Sequence, residues 1–141
     1  MVSYTDSIVN ITPENLKGFF VGWPNPPSPE TRLKLIRNSD HAVLALDEET
    51  GNAVGFITAI SDGVLSAYIP LLEVLPAYRG KGIGQELVRQ MLSKLKGLYM
   101  VDVTCDPEAQ PFYERLGMKK ATGMMLRNYE NQAGKSGGRP N

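Results

Sequence analysis

The chain has 141 residues, 42% hydrophobic and 21% charged, an ordinary balance for one soluble domain around a single core. Fifteen Lys and Arg offset fifteen Asp and Glu, so the formal net charge is zero and the basic excess typical of a nucleic-acid binder is missing. One cysteine, Cys105, excludes an intramolecular disulfide and suits a reducing cytoplasm, and neither a signal peptide nor a run of about 20 apolar residues points to export or a membrane span.

In chain order, Tyr4 to Ile11 reads as a weak first strand. Thr12 followed by Pro13 is a cap-then-proline start for a short helix reaching about Phe20. Four prolines in GWPNPPSPE make a stiff loop, after which Ser28 and Pro29 repeat the start signal for a second helix carrying Leu33, Leu35 and Ile36. HAVLALD and AVGFITAI are β-prone runs joined by EETGN, which predicts an antiparallel hairpin. SDG turns into a third run, VLSAYIPLLEVL, where Pro70 removes a ladder donor and predicts a bulge or lost pairing. Ile83, Leu87, Val88, Met91, Leu92 and Leu95 form a helical stripe that Gly97 is placed to end. LYMVDVTC is a strand, DPEAQPFYERLG a short helix closed by Gly117, and GMMLRNY a last strand. Residues 1–130 therefore read as one domain, with a mixed α/β sheet flanked by helices, and 131–141 as a disordered tail.

The stretch LPAYRGKGIGQELV places glycine at 80, 82 and 84, directly before that helical stripe. Helix N-termini carry unpaired amides at the positive end of the dipole, and removing side chains there lets an anion reach them. Arg79 and Lys81 add positive charge at the rim. A tight turn would need less glycine than this, so anion binding is the favoured reading. Two nucleotide motifs fail, however. A phosphate loop needs glycine where Leu75 stands and Ser or Thr where Gly82 stands; a dinucleotide fingerprint needs glycine at Gln85.

Arg79-Gly80-Lys81-Gly82-Ile83-Gly84 resembles the Arg/Gln-x-x-Gly-x-Gly/Ala signature of the Gcn5-related N-acetyltransferase (GNAT) superfamily. AQPFYERLGM is similar to that family's later Phe-Tyr segment, with Met118 in place of the usual Phe. The resemblance covers about His41 to Tyr129. It implies a mostly antiparallel sheet in which a splayed strand pair binds acetyl-CoA, with Val74, Arg79, Gly80, Lys81, Gly82, Ile83, Gly84 and Gln85 as the contacts. The implied function is an acyl-CoA-dependent N-acetyltransferase acting on a primary amine of a small molecule or peptide by direct transfer in a ternary complex. A CoA-binding member with weak or no turnover is the alternative. A homodimer is common in the family. Many relatives have Asn where Asp106 stands, which either changes a cofactor contact or leaves Asp106 to cap the helix that Pro107 begins.

The chemistry asks for two proton carriers. An alkyl amine with a pKa near ~10.4 is almost wholly protonated at neutral pH, and a leaving thiolate needs a donor. Tyr113, at the family's tyrosine position, is the candidate acid. Glu73, a carboxylate among Leu71, Leu72, Val74 and Leu75, is the candidate base, although a bulge upstream leaves its direction open. With CoA taking the second half of the chain, the acceptor wall falls to the first half, where Trp23 and Phe20 border the proline-rich loop. His41, the single histidine, reads as structural, and no His/Cys metal set can be assembled.

Overall fold

The computed structural model describes residues 1–135. Strands β1 (Val2–Thr5), β2 (His41–Asp47), β3 (Ala53–Ser61), β4 (Ser66–Val74) and β5 (Met100–Val103) lie side by side in sequence order. Neighbours are antiparallel except β4 and β5, which are parallel. A parallel pair cannot be joined by a hairpin, and α2 (Ile83–Lys94) supplies the crossover. The mixed, mostly antiparallel sheet expected from the sequence is the sheet observed.

Each face of the sheet carries its own apolar cluster. On one, the α2 stripe of Ile83, Leu87, Val88 and Met91 packs on Val43, Val54, Ile57 and Ile69. β3 has glycine at position 55 beneath it. A Cβ there would come 3.1 Å from Leu87 and 3.2 Å from Ile83, so the helix can approach only because that atom is missing. On the other face, Leu16, Phe19, Phe20, Leu33 and Ile36 cover Leu44 and Phe56. There α1 (Pro29–Asn38) starts as the sequence predicts, with Ser28 Oγ accepting from the Thr31 amide at 3.2 Å.

Pro70 marks a bulge, as its missing amide predicts. Gly55 to Thr58 of β3 pair with Val74 to Leu71, but Ile60 pairs with Tyr68, so Ala59 alone faces Ile69 and Pro70. The extra residue reverses the strand's alternation. Ala67 and Ile69 belong to the α2 face, and beyond the bulge so do Leu72 and Val74, while Leu71 joins the opposite cluster. Glu73, opposite Phe56, therefore points away from α2.

Other expectations need correction. The first strand stops at Thr5 because Thr5 Oγ1 accepts from the Ser7 amide at 3.0 Å and turns the chain, leaving Ile11 to enter the core from a loop. The helix expected from Pro13 to Phe20 is a single 3-10 turn, Pro13–Leu16. Its cap survives, with the Thr12 amide donating to Asn15 Oδ1 at 2.9 Å, but left-handed backbone at Gly18 and Phe20 ends the spiral. GMMLRNY forms no strand. Met124 and Leu126 are 98% and 94% exposed, and the chain crosses to the proline loop, where Gln132 Oε1 accepts from the Asn25 amide at 2.9 Å. The described chain continues past 131, with a Cβ at Gly134 coming 3.1 Å from Thr31, and residues 136–141 of the expected tail lie outside the described residues.

The β3–β4 turn rests on one side chain. Asp62 Oδ1 accepts from the amides of Val64, Leu65 and Ser66 at 2.8, 2.8 and 3.2 Å, and these bonds pull its carboxyl down to about 2 from 3.8. A depressed folded-state pKa gives stability that is present above pH 3.8 and lost as pH falls through about 2. Asp62→Ala is expected to lower the melting temperature at pH 7 and to flatten its fall across that acid window. Parallel wild-type and variant melts check this.

Candidate active site

The strand that ends at Val74 runs into the glycine turn and then into α2. β5 pairs with β4 only from Ser66 to Ile69, so the β5-facing edge of β4 is open from Pro70 to Val74. Val103 is the last residue of β5, and the chain then leaves through Cys105 to a 3-10 turn (Pro107–Ala109) and α3 (Gln110–Glu114).

Gly80 and Gly82 have φ of +78° and +83°, a conformation that costs most residues strain, and a Cβ on either would meet nothing within 4 Å. Their backbone thus borders open space. Gly82 is the N-cap of α2, and no side chain caps that helix. Among the described residues the amides of Ile83, Gly84 and Gln85 have no partner. Arg79 is exposed and donates from Nε to the Val74 carbonyl at 3.0 Å, which leaves the rest of its guanidinium facing outward. Lys81 Nζ lies 5.6 Å from the centre of the Tyr78 ring, and the Tyr78 hydroxyl donates to Asp47 at 2.8 Å. Gly84 is the inward member of the three: its Cβ position is 3.7 Å from both Phe112 and Val74. Residues 79–85 present free amides and two cations and include no carboxylate.

Phe112 links the cradle to the candidate acid. Its ring meets Tyr113 edge-on, with centroids 5.0 Å apart. Tyr113 is buried, and burial first, then the neighbouring Cys105 and Tyr68, pushes its hydroxyl up to about 12. A phenol held so high keeps its proton throughout the neutral range. Cys105 itself is half-buried beside it. Asp106 is exposed and its side chain makes no capping bond, so the capping role expected for it is not the one observed.

Glu73 reaches the other way. Oε1 accepts from the Phe20 amide at 2.8 Å and Oε2 from the Val21 amide at 3.2 Å. Phe20 is only 4% exposed, packed on Phe56 and Trp23, so it offers little surface to a ligand; Trp23, 39% exposed, is the aromatic of the pair that does. Sequence reasoning missed Arg32. It is buried, its guanidinium 5.5 Å from the Phe20 ring, and it donates to the carbonyls of Pro27 and Leu16 at 2.9 Å each. Nothing in its spacing distinguishes it from a polar helix-face arginine, so no signal was available.

Among the described residues no group of three or more His, Cys, Asp or Glu could hold a metal, and no helix is long and apolar enough to cross a membrane. Residues 8–118 match the model of the acetyltransferase (GNAT) family. The chain belongs to that family. It is similar to a protein of Deinococcus radiodurans R1 whose crystal structure is described as that of a putative acetyltransferase, at 48% identity and a TM-score of 0.94, covering 96% of this chain and 94% of that one. A GNAT family protein of Streptococcus pneumoniae matches at 28% identity and a TM-score of 0.73, over 91% and 98%. Uncharacterized N-acetyltransferase ycf52 of Pyropia yezoensis is 28% identical over 71% of this chain. The chain spans 59% of the length of that relative.

Proposed function

We propose that the protein is an N-acetyltransferase that takes acetyl groups from acetyl-CoA and places them on a primary amine of a small molecule or peptide. The observation that carries this reading is the open amide cradle at Gly80–Gln85, set at the end of a strand whose neighbouring edge is free. Phosphate fits the unpaired amides and the two cations. The thioester arm fits along the edge of β4 that β5 leaves unpaired from Pro70 to Val74, of which the Val74 carbonyl is already taken by Arg79. Tyr113, which burial keeps protonated throughout the neutral range, then donates its proton to the sulfur as it departs. Both Glu73 oxygens already accept from the Phe20 and Val21 amides, which favours water over Glu73 as the acceptor of the amine's proton.

Thiol release in the presence of acetyl-CoA, measured across amines, polyamines, aminoglycosides and peptides, tests the reading. Turnover with at least one amine is expected. Tight CoA binding with no turnover for any of them would favour a non-catalytic CoA-binding member instead. With an active amine in hand, Trp23→Ala is expected to raise its KM while leaving the KM for acetyl-CoA near wild type. Equal damage to both, or a large fall in melting temperature, would make Trp23 a structural anchor.

A further inference from the structure

We propose that Glu73 is a positioning residue, the anchor that fixes the Trp23 loop to the strand ending at the glycine turn. The inference rests on the acceptor reading given above, but its structural part stands apart from it.

Three observations converge. Phe20 is a bulky residue with φ of +67°, a strained conformation that persists only where surroundings impose it. With Phe20 in that conformation, two successive amides, those of Phe20 and Val21, turn toward one point, and the Glu73 carboxylate occupies it with one oxygen for each. These are charge-assisted bonds across more than fifty residues of sequence, stronger than neutral ones. Arg32 closes the ring of Phe20 from another side and holds both ends of the loop through Leu16 and Pro27. Trp23 then rides on this base: its amide donates to the Phe20 carbonyl at 3.1 Å and its ring stands edge-on to Phe20, 4.7 Å between centroids.

The bulge at Pro70 makes the arrangement available, because without it Glu73 would face α2. Strand and loop are thereby locked together, and Trp23 is set relative to the strand edge where the thioester would lie. A carboxylate used in this way shapes where an acceptor sits more than how fast its proton leaves.

Trp23 is the sole tryptophan, so its emission reads the loop directly, with no acceptor required. Glu73→Gln and Glu73→Ala should be compared with wild type as the full chain, with circular dichroism confirming a native melt. Without ligand, Trp23 emission is expected to shift red and acrylamide quenching to rise in Glu73→Ala, with Glu73→Gln between because one acceptor oxygen remains. With an active amine, acceptor KM is expected to rise about tenfold or more, the scale of one lost charge-assisted bond, with kcat and the KM for acetyl-CoA much less changed. Unchanged emission and quenching in Glu73→Ala would overturn the proposal. So would a fall in kcat with constant acceptor KM and an altered pH–rate profile, which is the behaviour of a base. If Glu73→Ala does not fold, Glu73→Gln is read by the same criteria. If no amine is turned over, the acetyltransferase reading fails while fluorescence still decides the anchor.

Discussion

Tyr113→Phe is expected to lower turnover by about 10²–10⁴-fold while CoA affinity stays close to wild type, because the change removes one proton donor and keeps the ring. The buried ring packs against Phe112, and phenylalanine preserves that edge contact. Phenylalanine keeps that packed ring in place, so stability near neutral pH should hold. The raised pKa adds a second signature. Ionisation disfavoured by burial gives stability that is full below pH 10 and lost as pH rises toward about 12. Tyr113→Phe should lack that alkaline loss. Steady-state kinetics with calorimetric CoA binding test the first part, and melts between pH 9 and 12 the second. Wild-type turnover in the variant would remove Tyr113 from the reaction.

Gly82→Asp is expected to weaken CoA binding by about 10–10³-fold, the range for one like charge placed near a phosphate at a protein surface. A Cβ at this position meets nothing within 4 Å, so the side chain enters the space a phosphate would use and not the core. The left-handed backbone strains any replacement, and Gly82→Ala serves as the control for that strain. Aspartate tolerates this conformation better than most residues, which keeps the variant folded. Calorimetry should rank wild type, Gly82→Ala and Gly82→Asp in falling affinity, and salt should weaken wild-type binding by screening exposed Arg79 and Lys81. Equal affinity for all three folded proteins would place the anion elsewhere.

Features legible in the sequence were those whose cause is local. Ser28 before Pro29 starts α1, the Ile83–Met91 stripe buries one side of α2, and Pro70 breaks the β4 ladder because it has no amide to give. The left-handed backbone at Gly80 and Gly82 was legible for the same reason, since glycine alone adopts it without strain. What stayed hidden depended on distant partners. Glu73 could not be oriented from alternation, since one added residue reverses it. Arg32 shows its role only when the loops from Leu16 and Pro27 meet around it. A strand at GMMLRNY needs an edge to join, and β-prone composition cannot supply one. The predicted helix after Pro13 had a sound start, but Phe20 in a left-handed turn is no pattern a helix rule anticipates.

The bulge in β4 behaves as a frameshift written in the fold. Upstream and downstream halves of the strand are read in opposite phase, and Ile69–Pro70 is where the phase changes. Deleting one residue there would do more than mend a ladder. It would transpose everything up to the glycine turn, sending Leu72 and Val74 toward Phe56 and burying the Glu73 carboxylate beneath α2. Grafts of β4 between relatives should therefore conserve the count of residues between bulge and cradle ahead of their identities. A single-residue insertion downstream of Pro70 that compensates such a deletion should restore the phase, and with it the strand's chemistry.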